Sequence, residues 1–411
     1  MSTETAPATT AVAWARAREL AYAAGLAAVP EPEDAPLAET DGATLAEPLL
    51  TLTDLPAFPT SSVDGWAVRG PAPWRVVGRV LAGGIAPDLT DDGTAMEVAT
   101  GAMVPSGTSA IVRVEDSSAS ADGRVTGVAR SQPEWRLPGE EAARGEQLLP
   151  AGTPVTPGVI GLAASCGYDR LRVRRPPRAA LRVFGDELLT AGPPGAGRVR
   201  DALGPTVPAW LRRLGALTPP EAVHDPVRDT LDAHLAAIRD ALPGADLICT
   251  TGGTMHGPVD HLHPALAELG AEYVVNTVGV RPGFPMLLAR VPGAAGRTRF
   301  LAGLPGNPQS AVVALVSLVG PLLAGLHGRP LPTLRRVTLT APVPGRGQDT
   351  HLALVRVDAD GAAHPVRHVG SAMLRGLTAA DGFAVIEPGT SGSPGDRVTL
   401  VPLPLMTGER P

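Results

Sequence analysis

Carboxylates, hydroxyls and glycines follow two apolar segments of the chain. Gly185-Asp186-Glu187 comes directly after the run from Ala180 to Phe184, and Thr251-Gly252-Gly253 comes after the run from Asp246 to Thr250. Ligands of open parallel sheets sit at the carboxyl ends of the strands, where loops and helix N-termini present backbone N–H groups to anions. Both loops are therefore expected at one edge of a sheet.

The chemistry of these loops suits a phosphate beside a hard cation. Adjacent glycines let the backbone approach a phosphate closely, and no lysine of a phosphate-binding loop is present, because the chain contains no lysine. Two carboxylates could share Mg²⁺, which prefers oxygen ligands and keeps several waters. The candidates are Asp186, Glu187, Asp201 and Asp260. The alternative interpretation is that the glycines form tight turns and the carboxylates, Asp186 in particular, cap helices.

Further polar segments lie on either side of these loops. Pro305-Gly306-Asn307-Pro308-Gln309-Ser310 opens a helix whose N-terminal N–H groups and Ser310 could bind an oxyanion, although ordinary capping by Asn307 explains the same residues. Upstream, Asp64-Gly65 and Thr100-Gly101-Ala102 are polar turns between apolar runs. His256, His261 and His263 lack the spacing of a zinc site.

The elements that must position these residues alternate between strand and helix from about Ala179 to Leu326. Such alternation is typical of a mostly parallel sheet covered by helices. Strands are predicted at Ala180–Phe184 and Asp246–Thr250, and an apolar core helix is predicted from Asn307 to Leu326. Another helix is predicted to begin at Asp225-Pro226, because the apolar residues after it recur at helical spacing, namely Leu231, Leu235, Ile238 and Leu242. A further helix is expected over residues 259–269.

The rest of the chain predicts a multidomain α/β plus β protein. Residues 1–52 and 137–176 form a helical and extended linker domain, in which a helix at Ala11–Leu26 and one at Val159–Ala164 could pack together. Residues 53–136 form an inserted small β-rich domain, residues 177–328 the central α/β domain, and residues 329–411 a C-terminal domain resembling a β-barrel.

Composition excludes several functional classes. The net charge of −6 and the lack of a basic cluster disfavour nucleic-acid binding. Cys166 and Cys249 lie in apolar surroundings without metal-ligand spacing, which indicates buried thiols in a reducing compartment. The most apolar run, Ala311 to Leu326, is shorter than the ~20 residues of a membrane span, and no signal peptide is evident. A cytoplasmic protein without a membrane partner is predicted.

In their order and residue types, these segments resemble those of the molybdopterin molybdenumtransferases, known as MoeA in bacteria and as the gephyrin E domain in animals. Two early segments match, Ser62-Val63-Asp64-Gly65-Trp66 and Thr100-Gly101-Ala102, followed by Gly139-Glu140-Glu141. The later matches are Gly185-Asp186-Glu187-Leu188, Thr251-Gly252-Gly253, Arg281-Pro282-Gly283 and Pro305-Gly306-Asn307-Pro308-Gln309-Ser310. The resemblance covers nearly the whole chain.

The resemblance implies an enzyme of molybdenum cofactor biosynthesis. Members bind adenylylated molybdopterin and molybdate, release AMP with Mg²⁺ and form homodimers of four-domain chains. Carried over by position, Asp64, Glu187 and Asp260 are catalytic, and Glu187 and Asp260 hold the magnesium. Arg281, Pro282, Ser310 and Ser371 match positions near the molybdate, together with an arginine that is either Arg346 or Arg356. The implied substrate-binding set is Thr100, Gly101, Gly185, Asp186, Asp201, Thr251, Gly252, Gly253, Arg281, Pro282, Gly283, Pro305, Gly306, Asn307, Ser310 and Ser371.

Departures from the family pattern fall where anions should bind. A lysine of the family's Lys-Pro-Gly-Lys-Pro segment is replaced by Phe284, its Asp-Ser-Asn is Asp201-Ala202-Leu203, and a serine and an acidic residue are replaced by Met255 and Pro258. Each lost oxyanion donor can cost ~3 kcal/mol of barrier. These departures leave open a catalytically weakened paralogue that acts as a binding or assembly protein. A nucleotide-cleaving enzyme of related α/β fold is a further alternative, because the Gly185-Asp186-Glu187 and Thr251-Gly252-Gly253 loops also resemble domains of such enzymes.

Overall fold

The computed structural model describes residues 11–254, 260–293 and 297–405. The chain forms two compact units, and each is described separately. The first consists of Met1–Pro32, Gly42–Thr44 and Arg174–Pro411, and the second of Glu33–Asp41 and Leu45–Val173.

The helices and strands of the described residues have the following bounds. The helices are α1 Trp14–Leu26, α2 Pro157–Ser165, α3 Leu203–Arg213, α4 Leu231–Ala241, α5 Leu262–Glu268, α6 Pro308–Ala314 and α7 Gly320–Leu326. The strands are β1 Val12–Ala13, β2 Glu33–Pro36, β3 Thr44–Leu45, β4 Leu49–Leu50, β5 Thr60–Ser61, β6 Gly65–Arg69, β7 Trp74–Val80, β8 Thr94–Val98, β9 Ala110–Arg113, β10 Ser117–Ala119, β11 Arg124–Gly127, β12 Trp135–Arg136, β13 Gln147–Leu149, β14 Arg170–Arg174, β15 Ala179–Val183, β16 Leu188–Leu189, β17 Val199–Arg200, β18 Leu247–Thr251, β19 Glu272–Val275, β20 Val278–Arg281, β21 Leu287–Pro292, β22 Thr298–Leu304, β23 Arg335–Leu339, β24 Thr350–Val357, β25 Ala362–Pro365, β26 Gly382–Ile386 and β27 Arg397–Pro402.

The second unit is built around a six-stranded sheet in the order β10-β11-β7-β8-β6-β9. In β7, Trp74 and Val80 at the two ends are buried, while the residues between them alternate between exposed and partly buried, as expected for a strand with one solvated face. The helix α2 begins where the Thr156-Pro157 signal predicts it, and the Thr156 hydroxyl accepts a hydrogen bond from the Val159 N–H at 3.4 Å.

The α/β domain of the first unit contains a five-stranded sheet in the order β15-β18-β22-β21-β19. The strands β15, β18 and β22 are parallel, whereas β21 and β19 are antiparallel to their neighbours. All five residues of both β15 and β18 are buried, as expected for parallel strands covered on both faces. The predicted mostly parallel sheet is confirmed.

Two hydrophobic clusters cover the two faces of this sheet. Leu181, Leu247 and Cys249 belong to the larger cluster, which includes residues of α1, α3, α6 and α7. Ala180 and Ile248 belong to the other, with residues of α4 and α5. Successive residues of a strand point to opposite faces, so the apolar residues of β15 and β18 supply both layers.

The continuous helix from Pro308 to Leu326 is the central element of the larger cluster. Its mean hydropathy of 1.9 and its 19 residues would suffice for a membrane span, but 89% of its most apolar window is buried. The segment Leu315–Val319 between α6 and α7 is π-helical. Burial on all sides explains why the sequence is apolar all round.

The helix α1 packs on α7 through two glycines. A Cβ on Gly25 would lie 2.2 Å from the Leu322 carbonyl oxygen, and a Cβ on Gly325 would lie 2.3 Å from the Tyr22 carbonyl oxygen. Because these small residues carry no side chain at the contact, the backbones of α1 and α7 approach closely.

The C-terminal strands close into a barrel in the order β24-β25-β23-β27-β26, since β26 also pairs with β24. The strand β20, which lies in the chain between β19 and β21 of the α/β sheet, pairs in parallel with β24, with Arg281 opposite His351. The predicted barrel-like C-terminal domain is confirmed. Closure removes exposed strand edges.

The predicted start of one helix was wrong. The helix α4 begins at Leu231, where Thr230 caps it by accepting a hydrogen bond from the Ala233 N–H at 3.3 Å. Residues after Asp225-Pro226 are instead extended, and the Val227 N–H donates to the Val183 carbonyl at 2.8 Å. Pairing with the end of β15 overrides the local helix-start signal.

Candidate functional site

The two glycine-containing loops meet at the carboxyl edge of the α/β sheet, as predicted. The Phe184 N–H donates to the Thr251 carbonyl at 3.1 Å, and the Gly252 N–H donates to the Leu304 carbonyl at 3.1 Å. Gly252 has φ +85°, and a Cβ there would lie 3.1 Å from the Phe184 carbonyl oxygen. Only glycine combines this conformation with this approach. We call the loops 185–187 and 251–254, together with Asp260, the carboxylate edge.

Glu187 folds back over its own loop. Its Oε2 would lie 2.9 Å from a Cβ on Gly185, so the glycine leaves the space that the carboxylate occupies. Asp186 lies 3.8 Å from the Arg228 guanidinium, and both side chains are exposed. The strand β16 follows directly, so the interpretation of Asp186 as a helix cap does not hold.

The buried side chain of His234 packs against the residue before one loop and against a glycine of the other. The ring of His234 stacks on Phe184 at 3.6 Å between centroids, and its Cε1 would be 3.4 Å from a Cβ on Gly253. His261, the neighbour of Asp260, meets His234 edge to face at 5.6 Å. Burial lowers the pKa of His234, which favours the neutral ring. Aromatic packing thus connects the segments that carry Glu187, Gly253 and Asp260.

The carboxylate edge has oxygen donors that suit Mg²⁺. Within the described residues, no group of three or more His, Cys, Asp or Glu side chains could hold a metal ion. Magnesium commonly binds one or two carboxylates while substrate phosphates and waters complete its shell. Glu187, held in the space left by Gly185, fits that role, and Asp260 lies at the end of the neighbouring loop.

Asp201 serves as a helix cap in this structure. Its Oδ1 accepts hydrogen bonds from the Leu203 and Gly204 N–H groups, both at 2.9 Å, and the residue is buried. The capping interpretation therefore describes this carboxylate, and its predicted part in substrate binding stays a prediction.

A cavity of about 960 Å³ lies between the α/β domain and the barrel. It brings together the residues that the sequence placed near an oxyanion, and we call it the arginine cavity. Its polar and charged lining consists of Arg281, Asn307, Gln309, Ser310, Arg346, Asp349, His351 and Ser371. Pro282, Gly283 and Phe284 also line it, and the Arg281–Pro282 and Phe284–Pro285 peptide bonds are cis.

The N-terminus of α6 is capped by the barrel domain. The carbonyl oxygen of Ser371 accepts hydrogen bonds from the N–H groups of Gln309 at 2.9 Å and Ser310 at 3.3 Å. Asn307 is the N-cap residue and Pro308 the first helical residue, as predicted, but the Asn307 side chain makes no capping hydrogen bond. Two of the N–H groups predicted to face an oxyanion are thus occupied, and the same bonds hold Ser371 beside Ser310.

The two candidate arginines lie in different cavities. Arg346 lines the arginine cavity, whereas Arg356 lines a separate cavity of about 750 Å³ with Trp210, Arg213 and Leu377. Since Ser310 and Ser371 line the same cavity as Arg346, the geometry favours Arg346 over Arg356 as the arginine that matches the family's molybdate site.

Asp349 and His351 also line the arginine cavity, although the sequence did not point to either residue. Asp349 Oδ2 accepts a hydrogen bond from the Arg281 Nε at 2.8 Å, and His351 Nδ1 lies 2.7 Å from the Pro344 carbonyl oxygen. Burial lowers the pKa of His351. The available signal was the polar segment Gly345-Arg346-Gly347-Gln348-Asp349 before a strand, which by itself indicates only a turn.

Asp64 and Thr100 belong to the second unit, where the structure pairs them. Asp64 Oδ1 accepts hydrogen bonds from the Thr100 N–H at 2.6 Å and from its hydroxyl at 3.0 Å. These bonds lower the pKa of the exposed Asp64 carboxyl, which stabilises the ionised form. Gly101 follows with φ +79°. Met255, Pro258 and His256 lie outside the described residues.

Fold and site together define a class: a multidomain protein in which the ligand edge of a helix-covered sheet adjoins an arginine- and serine-lined cavity against a small β-barrel. Three family models match successive parts of the chain. The MoeA N-terminal region (domains I and II) matches residues 10–167, a probable molybdopterin-binding domain matches 180–325, and the MoeA C-terminal region (domain IV) matches 336–403. The chain belongs to the molybdopterin molybdenumtransferase (MoeA) family.

Two curated relatives agree with this assignment, and a solved structure has a similar fold. A molybdopterin molybdenumtransferase of Bacillus subtilis is 29% identical over 378 residues, which cover 87% of this chain and 86% of the relative. One of Staphylococcus aureus strain MSSA476 is 29% identical over 69% of both chains. The crystal structure of a molybdopterin biosynthesis MoeA protein from Pyrococcus horikoshii is similar in fold, with a TM-score of 0.74, 24% identity and coverage of 96% of this chain and 99% of that chain.

Proposed function

We propose that this transferase of molybdenum cofactor biosynthesis inserts molybdate into adenylylated molybdopterin and releases AMP in a magnesium-dependent reaction. The observation that carries the proposal is the presence, in one unit, of an arginine cavity lined by Ser310 and Ser371 and a carboxylate edge beside a glycine cradle. An oxyanion and a nucleotide phosphate are the two anions that the reaction requires.

The carboxylate edge would handle the adenylate phosphates. Glu187 and Asp260 would hold Mg²⁺, which when bound neutralises phosphate charge and polarises the bond to be cleaved. The backbone of Thr251-Gly252-Gly253 would lie against the phosphates, because its two glycines carry no side chain that blocks the approach.

The arginine cavity would hold the molybdate. Arg281 and Arg346 supply positive charge, and the hydroxyls of Ser310 and Ser371 supply hydrogen-bond donors that adjust to a tetrahedral anion. Because Ser371 is held by backbone bonds to α6, the serines are positioned before the anion arrives. Such preorganisation removes part of the ordering cost of binding.

The proposal includes a cytoplasmic homodimer, the assembly that the resemblance implies. Light scattering coupled to size exclusion should give twice the 42.0 kDa chain mass. A single-chain mass at micromolar concentration would contradict this part.

The decisive test mixes the purified protein with adenylylated molybdopterin, sodium molybdate and MgCl₂ and measures AMP by chromatography. AMP should accumulate only when all components are present, and EDTA should suppress it. If the complete mixture releases no more AMP than a mixture without the protein, the proposal is refuted.

A second candidate is a paralogue with weakened catalysis that acts in binding or assembly. It is favoured by Phe284 at a position where a cation is expected, by the capping role of Asp201 and by the ion pair between Arg281 and Asp349. Rescue of a bacterial strain that lacks molybdenum insertion would exclude this candidate. Binding of pterin substrate without AMP release would support it.

A further inference from the structure

Arg281 is held from two directions inside the arginine cavity. Its Nε donates to Asp349 Oδ2 at 2.8 Å, and its guanidinium carbon lies 4.7 Å from the centroid of the Phe284 ring. The charged nitrogens of a guanidinium can bind one partner along each edge while an aromatic ring covers one face. Phe284 and Asp349 therefore determine the orientation of Arg281, and among the residues that the structure describes no hydrogen bond occupies its Nη atoms.

The position of Asp349 is built into the fold. The parallel pairing of β20 with β24 sets Arg281 opposite His351, two residues after Asp349. A Cβ on Gly279, two residues before Arg281, would lie 3.4 Å from Asp349 Oδ1, so this glycine leaves room for the carboxylate. The Asp349 N–H also donates to the Arg346 carbonyl at 3.2 Å, which holds the turn in place.

We propose that Asp349 is an internal counter-anion that determines the anion affinity of the arginine cavity, because a bound oxyanion must share or take the guanidinium of Arg281 from it. This inference rests on the proposed function, since it assumes that the cavity receives molybdate. It assigns Asp349 as a specificity-determining residue and Phe284 as a positioning residue that acts through Arg281.

Charge explains why loss of the Asp349 carboxylate should strengthen anion binding. The charged and titratable groups that line the cavity are Arg281, Arg346, Asp349 and His351. At neutral pH the lowered pKa of His351 favours its neutral ring, so the carboxylate of Asp349 offsets one of two positive charges. A dianion in this cavity meets a like charge at close range, which opposes binding. Removing that charge favours the dianion even though Arg281 loses one contact.

The test measures sodium molybdate binding by isothermal titration calorimetry at constant ionic strength, without pterin substrate. Asp349→Asn keeps the shape of the side chain and should bind molybdate at least about tenfold more tightly than the parent protein. Asp360→Asn is the matched control, because it removes the same charge from an exposed turn of the barrel. It should bind within about twofold of the parent.

Two further variants test whether the effect operates through Arg281. In the Arg281→Gln background, the gain from Asp349→Asn should fall below about threefold, which a double-mutant cycle measures as coupling. Phe284→Leu should weaken binding about two- to fivefold, because it removes the cation–π contact and keeps the charge. Asp349→Ser replaces the asparagine variant if the latter does not fold.

Tighter binding by the asparagine variant supports the inference, even if the parent protein binds too weakly to measure. Equal or weaker binding, or no binding by any variant, overturns it. Because no AMP is measured, these outcomes are independent of the proposed catalytic activity. If the asparagine variant binds molybdate tenfold more tightly but the protein releases no AMP, the role of Asp349 as a counter-anion is supported and the proposed function is refuted.

Discussion

The carboxylate edge and the arginine cavity are built in different ways. The edge consists of loops that follow β15 and β18 of one sheet, and Glu187 is exposed to solvent. The cavity joins β20 and α6 of the α/β domain to the barrel, and its Arg281 is held by an ion pair and an aromatic ring. The proposed function assigns the cation and the phosphates to the first region and a small anion to the second, whose donors are restrained.

Because the two regions differ in this way, mutations should separate the proposed cleavage of the adenylate from the proposed binding of the oxyanion. Changes at the edge should affect cleavage of the adenylate and leave oxyanion binding intact. Changes in the cavity should affect oxyanion binding first.

The largest effect is expected for Glu187→Gln. If Glu187 holds Mg²⁺ as proposed, loss of its charge should lower the rate of AMP release about 100- to 1000-fold, since the ion would no longer be held against developing negative charge. Molybdate affinity should stay within about twofold by calorimetry. The control Glu268→Gln changes an exposed carboxylate of the same domain. An equal loss of molybdate binding would contradict the separation of the two regions.

Arg346→Gln should weaken molybdate binding about 10- to 100-fold, the range expected for a lost charge-assisted hydrogen bond. Arg356→Gln is a natural control, because Arg356 is exposed and lines the other cavity. It should bind molybdate as the parent protein does. If Arg356→Gln has the larger effect, the assignment of Arg346 to the oxyanion is wrong.

Gly252→Ala tests the edge through its backbone. The φ of +85° and the 3.1 Å approach to the Phe184 carbonyl should cost about 1–2 kcal/mol and displace the loop. We expect AMP release to fall about tenfold, with molybdate affinity unchanged. Gly244→Ala is the matched control, because a Cβ at that position would have nothing within 4 Å and the residue precedes the same strand. Equal activities of the two variants would show that the approach is not needed.

The smallest effect concerns pH in the arginine cavity. Burial holds the pKa of His351 below its ordinary value of 6.5, so the ring is neutral at pH 7 and gains a positive charge only at lower pH. Sulfate, whose charge is constant over this range, should therefore bind about two- to threefold more tightly at pH 5 than at pH 7.5. His351→Gln should flatten this dependence. An unchanged slope in that variant would assign the pH effect to another group.

Local sequence patterns predicted much of the α/β domain. The runs at Ala180 and Asp246 form β15 and β18, and Asn307-Pro308 opens a helix that continues to Leu326, because burial periodicity and a proline at the first turn are properties of one segment. The start of α4 escaped prediction. Its cap, Thr230, competes in sequence with Asp225-Pro226, and only pairing with Val183 decides between them.

The candidate site was likewise predictable only in part from the sequence. The resemblance identified Glu187, Arg281, Ser310 and Ser371, and the structure brings the last three into one cavity. It did not indicate that the Ser371 carbonyl caps α6 or that Asp349 pairs with Arg281. Both contacts join segments about 60 to 70 residues apart, as the hydrogen-bond separations show.

By itself, the sequence determined that two loops with glycines and carboxylates would follow buried strands and lie at one edge, because strand direction and alternation are local properties of the chain. The tertiary structure alone decided how the arginines are used. Where β20 pairs with β24, Arg281 receives Asp349 as its partner, and Arg346 rather than Arg356 lines the same cavity. Charge pairing depends on distances across elements, which no spacing along the chain specifies.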